Sequence, residues 1–144
     1  MPWKGTHTMA KMVLLAQYLS INGTALSSYT KKAELSVEVE DKDVTTYASA
    51  GWKEVLGGLK SGELSVEFLQ DFAASQLDSI MWPLLGTVVS FEVRADQAAV
   101  GTSNPKYSGS ILINGWSPIT GGVGDEATVS VGFPTSGAVT RATT

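Results

Sequence analysis

The feature that most constrains the fold of this chain is a strict alternation of apolar and polar residues over positions 33–40. Successive side chains of a β-strand point to opposite faces, so a repeat of two residues predicts a strand with one buried and one solvated face. The apolar face consists of Ala33, Leu35, Val37 and Val39, and the polar face of Glu34, Ser36, Glu38 and Glu40. The polar face therefore holds three carboxylates close together, which favours its contact with water.

Five more segments have the apolar content of strands, and turn signals separate them. The first ends at Asn22-Gly23, a dipeptide that is typical of tight hairpin turns. The predicted strands are 12–21, 63–69, 87–95, 107–113 and 127–133.

Only one segment has the residue spacing of a helix. Its apolar residues recur every three or four positions, which predicts a helix over 72–82 that packs on a sheet. Asp71 is suited to cap the first turn, and Pro83 limits the last one. The apolar residues in this spacing are Ala73, Leu77, Ile80, Met81 and Leu84.

These elements predict a mainly β fold, a β-sandwich or barrel of about six or seven strands flanked by one α-helix. The length of 144 residues suits a single domain. We assign the domain to residues 9–134. Residues 1–8 are predicted to be a disordered leader, and residues 135–144 a C-terminal arm rich in Thr and Ala.

A long loop is predicted over 41–61, where three glycines interrupt the strand pattern. Connections in compact domains usually have about 4–6 residues, and long loops that carry apolar side chains are often functional. In the alternative interpretation, Trp52 and Leu56 fold back onto the core. The large apolar residues of the segment are Val44, Tyr47, Trp52, Val55, Leu56 and Leu59.

The chain lacks the residues that most enzyme sites need. It contains no cysteine, and its only histidine, His7, lies in the predicted leader. Histidine triads, thiolate nucleophiles and the usual zinc sites are therefore excluded from the folded body. Asp41-Lys42-Asp43 lacks the remaining ligands of a calcium loop, and the glycines of 121–124 precede a strand, so both predict turns. We expect no catalytic residue, no metal and no cofactor.

Charge and hydropathy exclude two further classes of partner. Ten basic residues against fourteen acidic ones give a net charge of -4, and Lys31-Lys32 is the only adjacent pair of cations. Specific nucleic-acid binding requires several phosphates to be neutralised together, which this pattern does not provide. A membrane-spanning helix needs about 20 consecutive apolar residues, and none of the apolar runs is that long.

The order of these elements, with the residues that mark them, resembles the major tail (tail tube) proteins of bacteriophages. The likeness is greatest to the type found in long-tailed phages of actinobacteria, and it extends over nearly the whole chain from Met9. The segments that carry it are 37–40, 43–47, 51–54, 58–68, 82–86, 104–107 and 124–127.

The resemblance implies a structural virion protein of the phage tail that is assembled in the host cytoplasm. Similar proteins form hexameric rings that stack into a tube around the tape-measure protein, and viral DNA later passes through the lumen. Their inner sheets join into one continuous barrel, and long loops and terminal arms bridge successive rings. The expected partners are thus further copies of the chain, the tape-measure protein, a tail terminator and passing DNA.

This implied role gives the candidate residues their expected places. Glu34, Glu38 and Glu40 are candidates for the lumen lining, because a conduit for DNA should not attract phosphates. The apolar residues of the 41–61 segment and the arm at 135–144 are candidates for contacts between rings.

Two alternatives remain at this stage. The first keeps the virion setting, with a role as a head decoration protein or a tail terminator ring. The second is a carbohydrate-binding β-sandwich that uses Trp52, Trp82 or Trp116 as a sugar platform. Trp82 is expected in the core at the end of the helix, whereas Trp116 is the better candidate for exposure.

Overall fold

The structure is a computed structural model that describes residues 11–144, and the predicted leader at 1–8 lies outside the described residues. The described chain forms eight strands and one short helix, with 3₁₀ turns at Ser27–Tyr29, Tyr47–Ser49 and Trp82–Leu84. The elements are β1 Tyr18–Ile21, β2 Thr24–Ala25, β3 Thr30–Asp43, β4 Val55–Leu69, α1 Leu77–Met81, β5 Val88–Arg94, β6 Lys106–Leu112, β7 Thr128–Pro134 and β8 Thr140–Ala142.

The strands form two antiparallel sheets. The five-stranded sheet has the order β2-β1-β5-β6-β8, and the three-stranded sheet has the order β3-β4-β7. The prediction of a mainly β fold with a single helix is confirmed. The described helix is too short and too polar to cross a membrane.

The core fills the space between the two sheets and the helix. Both sheets contribute alternate apolar residues to it, as a period of two requires. The rings of Phe68 on β4 and Trp116 pack with their centroids 6.0 Å apart. The fully buried side chains are Leu19, Ile21, Leu26, Leu64, Phe68, Leu77, Met81, Ile111, Ile113, Val129 and Phe133.

The turn predicted at Asn22-Gly23 connects β1 to β2. Both residues have positive φ, 55° and 78°, which is the conformation of a two-residue type I′ hairpin turn. Ile21 and Thr24 are paired directly across this turn. The local signal therefore predicted the hairpin correctly.

The prediction of a loop over 41–61 is wrong for most of that segment. β3 and β4 stay paired as far as Asp43 opposite Val55, so only residues 44–54 connect them. Gly57 and Gly58 suggested a loop, but both lie within β4 beside an irregularity in the register. Glycine in a strand often marks such a bulge.

The prediction of a helix over 72–82 places its first residue too early. α1 covers only Leu77–Met81 and continues as the 3₁₀ turn, and its N-cap residue Gln76 makes no side-chain cap. Asp71 instead accepts a hydrogen bond from the amide of Ala73 in a turn. Ser75 has a positive φ of 64°, a conformation that cannot continue a right-handed helix.

The first strand is also shorter than predicted. Within the predicted segment 12–21, only Tyr18–Ile21 is paired in a sheet. The apolar residues Met12, Val13, Leu14 and Leu15 are exposed and lie outside the sheets. An apolar run alone does not fix pairing, because a strand also needs a partner at its edge.

The residues predicted as a C-terminal arm pack on the domain. β8 pairs with β6, and the amide of Thr135 donates a hydrogen bond to the carbonyl of Gly62 over 3.0 Å. A Cβ on Gly109 would lie 2.9 Å from the carbonyl oxygen of Ala138, and a Cβ on Gly62 would lie 3.2 Å from the side chain of Thr135. These two glycines therefore allow residues 135–142 to lie against both sheets.

Candidate self-assembly surfaces

The two sheets differ in their edges. The five-stranded sheet ends in β2, which has two residues, and β8, which has three. The three-stranded sheet ends in β3, with 14 residues, and β7, with seven. Short edge strands prevent pairing with other chains, whereas long open edges promote it. Among residues 11–144, the three-stranded sheet is therefore the one with long edges available for extension, and the side-chain amide of Gln17 donates to the carbonyl of Ala33 on β3.

The outer half of the β3–β4 hairpin extends beyond the rest of the domain. β7 pairs with β4 only over 63–69, so β4 residues 55–62 have no strand on that side among residues 11–144. Residues 36–43 and 55–62 are here called the distal hairpin. Val37 and Val39, predicted on the buried face, are exposed there, because the core ends before the hairpin does. Their exposure leaves an apolar surface free for a partner.

The opposite face of the three-stranded sheet is acidic. Glu34, Glu38 and Glu40 are exposed on β3, and their alternation places them on this face. The register adds Glu63 opposite Ser36 and Glu67 opposite Lys32. The prediction named the three β3 carboxylates and missed these two, although alternation with Leu64, Val66 and Phe68 gave the signal for both.

This acidic face holds five carboxylates against two lysines, Lys32 and Lys42, and Nζ of Lys31 also lies 3.9 Å from Oε2 of Glu67. The ammonium group of Lys42 lies 2.8 Å from Oε1 of Glu40, so this pair is locally neutral. The side chain of Glu63 lies over Gly132 on β7, where the absence of a side chain leaves room for it. The remaining charge is negative and is concentrated towards the middle of the sheet.

Residues 44–54, here called the hairpin tip, are held by their own hydrogen bonds. Thr46 and Ser49 form a reciprocal capping box around the 3₁₀ turn. The hydroxyl of Ser49 donates to Oε1 of Glu54 over 2.6 Å, and the amide of Val44 donates to the carbonyl of Glu54 over 2.9 Å. The tip therefore has a defined conformation without contacts to the core.

This defined tip presents two aromatic side chains to solvent. Tyr47 is fully exposed and Trp52 is 78% exposed. The alternative that Trp52 and Leu56 fold back on the core is wrong, since Leu56 is exposed as well. All the candidate inter-subunit residues are exposed, namely Val44, Tyr47, Trp52, Val55, Leu56 and Leu59.

The register separates two of these candidates. Val55 is opposite Asp43 and shares the face of Val39, whereas Leu56 is opposite Lys42 on the acidic face. The candidate residues thus belong to more than one surface. The sequence alone left this open, because the bulge near Gly58 shifts the alternation.

A second apolar surface follows α1. Phe72, Trp82, Leu85 and Val88 are exposed in the segment that leads from β4 through α1 to β5, and they are here called the α1 surface. Trp82 was predicted in the core, but it is 55% exposed. The helical spacing did place Leu77 and Met81 correctly, and Trp82 follows Met81 directly on a different side of the turn.

Trp116 is buried, with 9% of its surface exposed, so the expectation of an exposed Trp116 is wrong. Its indole N–H donates to Oδ1 of Asp78 over 3.1 Å. A buried, hydrogen-bonded tryptophan packed on Phe68 cannot act as a sugar platform.

The titratable groups of the described residues do not form a catalytic or metal site. No group of three or more acidic, histidine or cysteine side chains within 11–144 is placed to hold a metal ion. The amide of Thr45 donates to Asp43 and lowers the pKa of that carboxyl. The pKa of Glu126 is lowered by its own backbone amide and by Lys31. Both carboxyls are on the surface, and neither lies in an enclosed cleft.

Comparison with known proteins identifies what kind of molecule has these surfaces. The family model for phage tail tube proteins matches residues 16–141. The chain belongs to the phage tail tube protein family. Membership confirms the predicted tail tube protein, and it favours this role over head decoration, tail termination and carbohydrate binding. Its place is the tail of the virion.

Solved structures share the fold of this tail tube protein. A chain in the virion of a native gene transfer agent particle superposes with a TM-score of 0.67 and 22% identity, covering 85% of this chain and 94% of the other. A chain in the tail of an empty gene transfer agent particle, refined helically with C6 symmetry, superposes with a TM-score of 0.65 and 22% identity. The match covers 88% of this chain and 93% of the other. No curated protein sequence matches the chain.

Proposed function

We propose that six copies of this tail tube protein close into a ring through their three-stranded sheets. In this arrangement the outer edge of β3 in one copy pairs with the outer edge of β7 in the next. The unequal edges carry the proposal, because β3 and β7 are the only long open edge strands of residues 11–144. The number six rests on the likeness to the C6-symmetric tail.

The dimensions of such a ring suit a conduit. Three strands from each of six copies give a barrel of eighteen strands. With strands about 4.8 Å apart and tilted by about 40°, opposite backbones lie roughly 36 Å apart. Barrels of this strand number enclose an aqueous channel and not a packed core.

In the proposed ring the acidic face lines the lumen. Glu34, Glu38 and Glu40 then lie beside Glu63 and Glu67, and their charge repels the phosphates of passing DNA. A lining that does not bind phosphate lets DNA move through the tube. The opposite, apolar face of the sheet already packs on the core, which supports this orientation.

The distal hairpin and its tip are proposed to contact the adjacent ring. Val44, Tyr47, Trp52, Val55 and Leu59 are exposed apolar residues that such contacts would bury. The exposed residues of the predicted arm at 135–144 are proposed to contact the adjacent ring as well. The tape-measure protein and the tail terminator are proposed partners of the lumen and of the last ring. The protein acts as a structural subunit and not as an enzyme.

Electron microscopy of the purified protein, with sedimentation analysis, tests the ring. We expect closed rings of six copies or tubes of uniform width. A strict monomer at high concentration would contradict the assembly, and a different copy number would contradict the six-fold ring.

Proline variants test which edges pair. Amides of an edge strand alternate between the inner partner and the open side, so Ser130→Pro and Val131→Pro on β7 differ in the hydrogen bond that they remove. A proline that replaces an outward-pointing amide removes no hydrogen bond within the monomer, so that variant should keep its unfolding temperature. We expect the same variant to block ring closure, because it lacks the amide that would pair with the next copy. Thr140→Pro on β8 is the matched control and should still form rings.

A further inference from the structure

We propose that the hairpin tip of one copy docks on the α1 surface of a copy in the adjacent ring. This inference rests on the proposed function, because it assumes stacked rings. It adds the surface that receives the tip and the residues that recognise it. Tyr47 and Trp52 are the docking residues, and Trp82 and Leu85 are the centre of the receiving surface.

The two surfaces lie at opposite ends of one long strand. The tip precedes β4, and the α1 surface begins at Phe72, three residues after β4 ends at Leu69. The 15 residues of β4 span about 50 Å at 3.3 Å per residue. The tip and the α1 surface of one chain are therefore too far apart to meet, and only a second copy can bring them together.

The tip has the properties of a preformed docking element. Its capping box and the bonds to Glu54 fix the backbone, so little conformational entropy is lost when it binds. Exposed Trp and Tyr side chains on such an element are typical of residues that dominate binding energy. Within residues 44–54 the core gains nothing from Tyr47 or Trp52, since both are exposed.

The α1 surface complements the tip in hydrophobicity. Phe72, Trp82, Leu85 and Val88 provide aromatic and aliphatic area. Residues 70–86 contain two acidic residues, Asp71 and Asp78, and no lysine or arginine. The tip carries Lys53 beside Trp52, and Lys53 has no ion-pair partner among the described residues. Glu54 follows Lys53, so the tip as a whole has no net charge, and hydrophobicity rather than charge supports the docking.

A contact between two different surfaces also explains growth along one axis. The hairpin tip of each copy binds the α1 surface of the next, so the contact joins two different surfaces and is heterologous. Such a contact repeats from copy to copy, and it forms an open stack unless the rotation between copies closes it into a ring. Ring closure through β3 and β7 uses the lateral edges, so the tip and the α1 surface remain for the axial direction. Each ring then has one face with tips and one face with receiving surfaces.

Cross-linking between copies tests the pairing directly, because the chain has no native cysteine. Ala48→Cys on the tip and Ser79→Cys on α1 are small substitutions at exposed positions. The two purified variants are mixed, assembled and treated with a bifunctional thiol reagent. We expect dimers that contain one chain of each variant. Ser103→Cys, in an exposed loop apart from both surfaces, replaces Ser79→Cys as the control and should give few dimers.

Substitutions that weaken docking separate stacking from ring closure. Trp52→Ser and Trp82→Ser each remove a docking residue, and we expect rings to persist while the concentration needed for tubes rises about tenfold or more. Ser103→Ala, in the exposed loop already used as the cross-linking control, should leave tubes unchanged.

The outcomes distinguish the two proposals. The docking inference would be overturned if Trp52→Ser and Trp82→Ser formed tubes normally. It would also be overturned if the cysteine variants formed intact tubes but gave no mixed dimers. The proposed ring would stand in both cases. Absence of rings from the unmodified chain would overturn the proposed function, and the docking inference with it.

Discussion

The indole N–H of Trp116 donates a hydrogen bond to Oδ1 of Asp78 over 3.1 Å, and this bond ties α1 to the segment that follows β6. The same indole packs on Phe68 of β4. One tryptophan thereby connects the helix with the three-stranded sheet. The position of the α1 surface relative to β4 depends on this connection.

Removal of the Asp78 carboxylate should destabilise the domain. Asp78→Ala leaves the buried indole N–H without its partner, and an unsatisfied buried donor costs about 1–3 kcal/mol. Urea unfolding, followed by tryptophan fluorescence, measures the change in the free energy of unfolding. The adjacent exposed Ser79→Ala serves as control and should change it by less than about 0.5 kcal/mol. Equal stabilities of the two variants would show that the hydrogen bond contributes nothing.

Gly62→Ala should destabilise the protein, because the added Cβ would lie 2.9 Å from the backbone oxygen of Ser36 and close to Thr135. Backbone atoms cannot move aside easily, so we expect a loss of about 1–3 kcal/mol. Gly132→Ala meets only the flexible carboxylate end of Glu63 and should cost less. Thermal unfolding of both variants, with Gly101→Ala in open space as control, checks the order.

Charge reversal should reveal which face of β3 lines the lumen. Glu38→Lys places a cation on the acidic face, where it attracts phosphates, so we expect slower release of DNA from assembled particles. Asp41→Lys is the matched control, since Asp41 lies three residues away on the opposite face. DNA ejection is measured for both variants by nuclease sensitivity over time. A greater effect of Asp41→Lys would place the other face towards the DNA.

The ion pair between Lys31 and Glu126 should contribute stability over a defined pH range. Nζ of Lys31 lies 3.0 Å from Oε2 of Glu126, and the pKa of Glu126 in the folded state is below its ordinary value of 4.5. A lowered carboxyl pKa gives stability that is present above the ordinary value and is lost as the pH falls through the lowered value. The hydrogen bond to Glu126 raises the pKa of Lys31, so its contribution is present below 10.5 and is lost at higher pH.

The measurement compares Glu126→Gln with the unmodified chain in urea unfolding between about pH 3 and 7. We expect a small difference at neutral pH that shrinks on acidification, because both groups are exposed to solvent. Lys31→Met should remove the part of this pH dependence that comes from the ion pair. A difference that grows towards low pH would contradict the assigned sign.

Local signals predicted some elements well. Asn22-Gly23 specifies its turn through the φ values that these residues tolerate, so the sequence sufficed. The alternation at 33–40 predicted both the strand and its acidic face. Burial was harder to predict: Val37 and Leu35 share one face, yet only the first extends past the core. The end of the core depends on where β7 stops pairing with β4, which no local pattern records.

The burial of two tryptophans was also difficult to predict from the sequence. Trp82 looked like a core residue, and Trp116 looked exposed between a glycine and a proline. The structure reverses both, because Asp78 provides a partner for the Trp116 indole and α1 ends before Trp82 can turn inwards. The first cause is a contact between segments distant in sequence, and the second is the early end of a helix that the sequence pattern predicted to be longer. The sequence therefore predicted the exposed residues of the hairpin tip but not the exposure of Trp82 on the α1 surface.

The two- and three-residue strands at the edges of the larger sheet have a consequence for the host cell. At high concentration, β-rich chains with open edge strands tend to form fibrils. With one sheet blunted, the described residues leave lateral pairing to β3 and β7, and in the proposed ring that pairing ends when the ring closes. We expect surplus subunits to remain as soluble, countable particles, so that protein waiting for assembly is stored in a form that later tails can use.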